Sequence, residues 1–242
     1  MSQIAKSRVA VLLSGLIVAV APVLAQAEAG DIVVRLRATH VSPDVSSNLG
    51  GQTTSANLGG AGTLPGSVVY GSESAKLEVG NNTIPELDIS YYFTKNIAAE
   101  LILALGTRHD VNVSGTGGAM NSRSLGSVNL LPPTLTAQWH FMPDQTFDPY
   151  VGAGLAYVRA MDNGLTANTT LGYLPIRIDR NDFGTVLQAG FDVNLQDKWL
   201  VNFDVKKVFV STNVDINVGG WKKIDTLDLD PWVVSVGFGK KF

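Results

Sequence analysis

An all-β fold, an eight-stranded antiparallel up-and-down transmembrane β-barrel, is what this sequence predicts, and three observations carry that expectation. Long stretches alternate apolar and polar side chains with a period of two, the mark of strands with one greasy face. The connections between them alternate in length, short turns on one side and long polar loops on the other, and the strands are even in number. Aromatic side chains gather beside the short turns, where a membrane interface would hold them.

Composition agrees. Of 242 residues, 45% are hydrophobic and 16% charged, against about 25% charged in ordinary soluble domains. Such a chain is too apolar and too patterned to be disordered. Cysteine is absent, which excludes a disulfide scaffold and cysteine-based metal or redox sites. The formal charge of -3 comes without basic blocks, so nothing marks a nucleic-acid partner. The length suits one domain.

The chain opens with Lys6 and Arg8, then an apolar run from Val9 to Val20, Pro22 and the small residues around Ala25 and Ala27. A dozen apolar residues are too few for a spanning helix. The pattern is that of a secretory signal peptide over 1–27, cleaved after Ala25 or Ala27, which leaves a mature chain of 28–242. Without Lys6 and Arg8 the mature chain has 16 bases against 21 acids, near -5.

Eight candidate strands follow. The first, 31–42, carries Arg35 and Arg37. The second, 83–93, carries Asp88 and ends on Tyr91 and Phe93. The third, 97–113, turns Glu100, Ile102 and Ala104 to one side. The fourth, 127–141, contains Pro132 and Pro133 and ends on Trp139 and Phe141. Ala156 and Val158 share a face of the fifth, 147–161. In the sixth, 181–195, Leu187, Phe191 and Val193 oppose Gln188, Gly190, Asp192 and Asn194. The seventh, 198–214, alternates Trp199, Val201, Phe203 and Val205 with Asn202, Asp204 and Lys206. The eighth, 226–242, sets Trp232, Val234, Val236, Phe238 and Phe242 against the small Ser235, Gly237 and Gly239. Long extracellular loops are expected at about 43–82, 114–126, 162–180 and 215–225.

Tyr91, Phe93, Trp139, Phe141, Trp199 and Phe242 all lie beside short turns or the terminus, forming one interfacial girdle. Trp232 lies ten residues from Phe242 and Phe209 ten from Trp199. Ten tilted strand residues rise about 25 Å, the height of the lipid-facing band.

Several stretches resemble a known family: Glu28-Ala29-Gly30-Asp31, Leu131-Pro132-Pro133-Thr134-Leu135 followed by Gln138-Trp139, Pro149-Tyr150-Val151-Gly152-Ala153-Gly154, and Leu229-Asp230-Pro231-Trp232-Val233. Together they are similar to the outer-membrane protein W (OmpW) family over essentially the whole mature chain. The resemblance implies a monomeric eight-stranded barrel that passes small hydrophobic molecules across the outer membrane. The long first loop, 43–82, rich in Gly, Ser and Thr, departs from the family pattern.

No enzyme is expected. His40, His109 and His140 fall in different strands, without a nucleophile elbow or zinc-type spacing, and read as polar interface histidines. Neither metal nor cofactor is implied. The inward charges are more telling. Counted up from the periplasmic ends, Arg35, Glu100 and Asp192 share a low layer, and Arg37, Asp88, Asp204 and Lys206 a second. An eight-stranded barrel is just wide enough for side chains to fill, and charges held there must be paired. They are expected to plug the periplasmic half. Above them Ile102, Ala104, Ala156, Val158, Val186 and Val208 make a greasy upper lumen suited to an apolar solute. Pro132 and Pro133 have no N–H for a neighbouring strand, which marks them as a lateral opening. Phe242 reads as an assembly signal for the barrel-assembly machinery.

The expectation is therefore a bacterial outer-membrane barrel, bedded in lipid, that binds small hydrophobic solutes and releases them passively and laterally into the bilayer. The alternative is a structural or adhesive small barrel of the OmpA or OmpX kind with a packed lumen.

Overall fold

Lipid outside and charge inside is the inverse of a soluble fold, and this chain builds it by alternation along every wall strand. The computed structural model describes residues 28–49, 74–104, 106–116, 122–169, 172–217 and 219–242. The signal-peptide reading of 1–27 and most of the first long loop lie outside the described residues.

The strands are β1 (Ile32–Ser42), β2 (Lys76–Val79), β3 (Asn82–Tyr92), β4 (Ile97–Ala104), β5 (Thr107–Ser114), β6 (Ser124–Leu131), β7 (Thr134–His140), β8 (Phe147–Asp162), β9 (Gly164–Thr169), β10 (Gly172–Ile178), β11 (Asn181–Asn194), β12 (Trp199–Phe209), β13 (Ser211–Asn217), β14 (Trp221–Asp228) and β15 (Trp232–Lys241). Eight of them close a ring of antiparallel neighbours in the order β1, β3, β4, β7, β8, β11, β12, β15 and back to β1. The last seam is completed by the C-terminus. Ile32 N donates to Phe242 O at 3.2 Å and Phe242 N to Ile32 O at 2.8 Å.

Each ring strand turns large apolar side chains outward, among them Leu36, Leu87, Leu101, Leu135, Leu155, Leu187, Val236 and Phe238, all exposed. In water so broad an apolar belt would be untenable; in lipid it is the fitted surface. Tyr91, Phe93, Trp139, Phe141, Trp199 and Phe242 ring the lower edge, exposed. Tyr157 packs against Phe183 at the upper edge, with ring centroids 5.1 Å apart and the planes tilted by 38°.

The expected third, fourth, seventh and eighth strands are each broken in two. Two causes are visible in sequence. Pro132 and Pro133 separate β6 from β7, and Pro231 lies between β14 and β15. The expected long loops are also not plain loops. The 43–82 stretch holds β2, 162–180 holds β9 and β10, and 215–225 holds parts of β13 and β14. β9, β10, β13 and β14 make a four-stranded sheet, while β2, β5 and β6 extend the barrel wall. This extension has its own apolar core, including Leu77, Val113, Leu125, Leu165, Ile176 and Ile216. That core lets Gly- and Thr-rich strands fold beyond the membrane, because their alternate apolar residues are buried against one another.

Candidate functional site

The lower lumen is filled by a charged network. Arg35 and Arg37, two residues apart on β1, both point inward and are buried. Arg35 reaches Asp88 at 3.2 Å, Asp192 at 2.6 Å and Ser90 Oγ at 2.6 Å. Arg37 reaches Glu86 at 3.2 Å and Glu100 at 2.7 Å, and also meets Asp88. Gln188 ties the far wall in, donating from Nε2 to Glu100 and to Asp204, both at 2.7 Å. Tyr150 OH donates to Asp204 at 2.7 Å, and Lys206 pairs with the same carboxylate. Asn202 donates to Asp192 at 2.7 Å and to the Tyr150 oxygen at 3.0 Å.

Glycine makes room for these side chains. In the register Gly237 faces Arg37 and Gly239 faces Arg35, and a Cβ at residue 190 would lie 2.6 Å from the Tyr150 ring. At the level of the network side chains fill the interior of the eight-stranded ring, so a long one needs a neighbour without a side chain.

The seven charges named from the sequence therefore meet in one network, but not in the two layers expected. Asp88 is the register partner of Arg35 and contacts both arginines. Glu100 lies 4.0 Å from Arg35 and hydrogen-bonds Arg37 instead. Strand tilt is the reason, since equal residue counts from the ends of neighbouring strands are not equal heights in a sheared barrel. Sequence reasoning missed Glu86, although it shares the inward parity of Ile84 and Asp88. It also missed His140, which is no interface histidine. His140 is fully buried, with Nδ1 2.7 Å from Asp148, Tyr92 OH at 3.2 Å and its ring between Tyr92 and Tyr150. As the neighbour of the outward Trp139 it has the opposite parity, which places it inside. His40 is on the exposed face, 2.9 Å from Thr83 Oγ1.

Above the network the lumen opens into an apolar cavity of about 100 Å³, the order of size that holds one small ring or a short alkyl chain. Ile102, Ala104, Ala156, Val158 and Val208 line it, and Val186 packs behind in the same cluster. His109 is on its wall, in β5 of the extension rather than at an interface. A carbonyl can only accept, so His109 Nδ1 carries the proton donated to Gly80 O at 2.7 Å. Burial holds the His109 pKa below the ordinary imidazole value, which keeps the ring neutral. Val79, Leu130, Val158, Val210 and Leu229 border both this cavity and a second apolar chamber above it, in the extension.

Among the described residues, one seam of the wall lacks ladder pairs at this height. Ladder pairing between β4 and β7 ends at Ile102 with Thr134, and pairing between β5 and β6 starts at Thr107 with Leu130. Among the described residues nothing in the ladders bridges the interval. The break is one-sided, because Pro133 O still accepts from Tyr157 N of β8 at 2.9 Å. Pro132 lines the inner cavity and Pro133 an outer groove with Leu101, Leu135, Leu155, Tyr157 and Phe183. Thr134 and Ala156 border both spaces.

An eight-stranded ring with lipid-facing leucines, aromatic belts and a charged lumen defines an outer-membrane β-barrel. The chain belongs to the OmpW family, whose model matches residues 28–242. It is 40% identical over 176 residues to the outer-membrane protein y4mB of Sinorhizobium fredii, covering 72% of each chain. It is 33% identical over 204 residues to outer membrane protein W of Escherichia coli, covering 84% of this chain and 90% of that one. The crystal structure of the outer membrane protein OprG from Pseudomonas aeruginosa superimposes with a TM-score of 0.73 at 29% identity, covering 90% of this chain and 98% of that one. The protein is accordingly located in the outer membrane.

Proposed function

We propose that the barrel takes small hydrophobic molecules from outside the cell and releases them passively through its wall into the bilayer. The observation that carries this reading is that Thr134 and Ala156, paired with each other across β7 and β8, border both the inner cavity and the outer groove, while on its other side Thr134 is the last rung of the β4–β7 ladder. A solute in the cavity is separated from the outer groove at that point by the thickness of the wall alone. Two further features support it. The apolar chamber in the extension adjoins the cavity along five shared residues, and the ion network beneath offers an apolar solute no comparable surface. Removing apolar surface from water is worth about 25 cal/mol per Å², so entry is downhill, and transfer onward into lipid costs nothing comparable. No cofactor enters the reading, and lipid and solute are its partners, with a monomer as the working unit.

Filling the shared wall tests it. Ala156→Phe should slow whole-cell uptake of a labelled hydrophobic compound severalfold at equal amounts of folded protein. Uptake at the parent rate would remove this route and favour a structural or adhesive barrel.

A further inference from the structure

The floor of the apolar cavity is not apolar. Among its lining residues, Thr39, Thr107, Thr134 and His109 each direct a side-chain donor or ring nitrogen at a protein partner, respectively Ser235 Oγ, Leu130 O, Pro132 O and Gly80 O. Lys206 and Glu86 differ. Lys206 is 3% exposed and, among the described residues, its ammonium makes one hydrogen bond, to Asp204, out of three it can donate. Glu86 is 4% exposed and, among the described residues, accepts at Oε1 only, from Arg37. The two charges do not pair with each other, and both line the cavity. A greasy chamber thus ends on a spare cationic donor and a spare anionic acceptor.

From this we infer that the cavity selects amphiphiles carrying one neutral hydroxyl at the end of an apolar chain, held hydroxyl-down between Lys206 and Glu86. The inference rests on the reading that the cavity takes an apolar solute. A hydroxyl both accepts and donates, so one oxygen can accept from Lys206 and donate to Glu86. A hydrocarbon satisfies neither group and covers both, at a desolvation cost. A carboxylate suits Lys206 but opposes Glu86 and the acid-rich network, which holds Glu86, Asp88, Glu100, Asp192 and Asp204 against Arg35, Arg37 and Lys206. An alkylammonium meets the converse obstacle at Lys206.

The experiment titrates the intact barrel in lipid nanodiscs with octan-1-ol, octane and octanoate, each compared at equal concentration within the lipid. Binding is read from the NMR shifts of cavity-lining residues. Octan-1-ol should bind about tenfold more tightly than octane, the worth of one hydrogen bond to a charged group, with octanoate weaker than the alcohol. In Lys206→Met the preference for alcohol over alkane should vanish while octane binding persists. In Glu86→Gln, octanoate should gain severalfold. The second variant keeps the inference open to refutation where the first fails to fold. Equal binding of alcohol and alkane by the parent would overturn the inference and leave the uptake reading standing, as would octanoate binding tightest. Binding of none of the three would overturn both.

Discussion

Gly239 stands opposite Arg35 across the seam that closes the ring, and its missing side chain is what admits the arginine. A Cβ built at residue 239 would lie 2.7 Å from Arg35 Cγ, well inside van der Waals contact. Gly239→Val should therefore displace Arg35 from Asp88 and Asp192 and lower stability by about 1–3 kcal/mol through overpacking alone. The temperature at which the folded band disappears in heat-modifiable gel mobility reads this directly, and an unchanged temperature would show that the seam yields freely.

Removal of a single network charge should cost more than removal of a surface one. Arg37→Ala leaves Glu86 without its ion-pair partner and takes one from Asp88 and Glu100, and breaking a buried pair typically costs about 3–5 kcal/mol. Lys76 is exposed on β2, and its replacement by alanine should stay within about 0.5 kcal/mol. Denaturant midpoints of the two variants decide the matter; equal values would refute the idea that the network stabilises the lumen.

At the seam without ladder pairs, Pro132→Val with Pro133→Val supplies two N–H groups and two β-branched residues. The ladder toward β4 and β5 should then form, giving a barrel that is at least as stable and takes up apolar solutes more slowly. The opposite signs separate closure from damage, which would lower both. Undiminished uptake by the double variant would mean that solute leaves elsewhere.

Deletion of Phe242 removes the carbonyl and the N–H that bond Ile32, together with an exposed aromatic of the lower girdle. The amount of folded barrel in outer membranes should fall at native expression, because the last strand loses both its final ladder rung and the feature we propose the assembly machinery reads. Protein that does form should differ little in denaturant midpoint. A normal yield would argue that the preceding residues suffice.

The wall was legible because each ring strand keeps strict parity, from Trp199, Val201 and Phe203 outward to Asn202, Asp204 and Lys206 inward. The same parity, pursued further, reaches Glu86 and His140. What it could not reach is partner choice. Which acid meets Arg35 depends on the stagger between strands, and that is a property of ring closure rather than of any one strand. The extension was hidden for a different reason. Strands β9 and β10 are short and interrupted by Asn, Gly and Thr, so they read as loop. Their apolar residues, Leu165, Ala167 and Ile176, count as a core only once β13 and β14 are beside them.

Arg35 and Asp192 meet at 2.6 Å although 157 positions separate them in the chain. An arc of the wall that contains Asp192 without β1 would present lipid with a carboxylate that has lost its ion-pair partner, and such an ion is expensive within a bilayer. Nor can the arc be trimmed, because Lys206 and the C-terminal glycines that accommodate the arginines arrive later still. A fragment that holds the sixth wall strand without the first therefore has no resting place in the membrane. The chain should insert as a nearly complete cylinder, so that expressing the first and second halves from separate genes yields either the reunited ring or nothing that the bilayer retains.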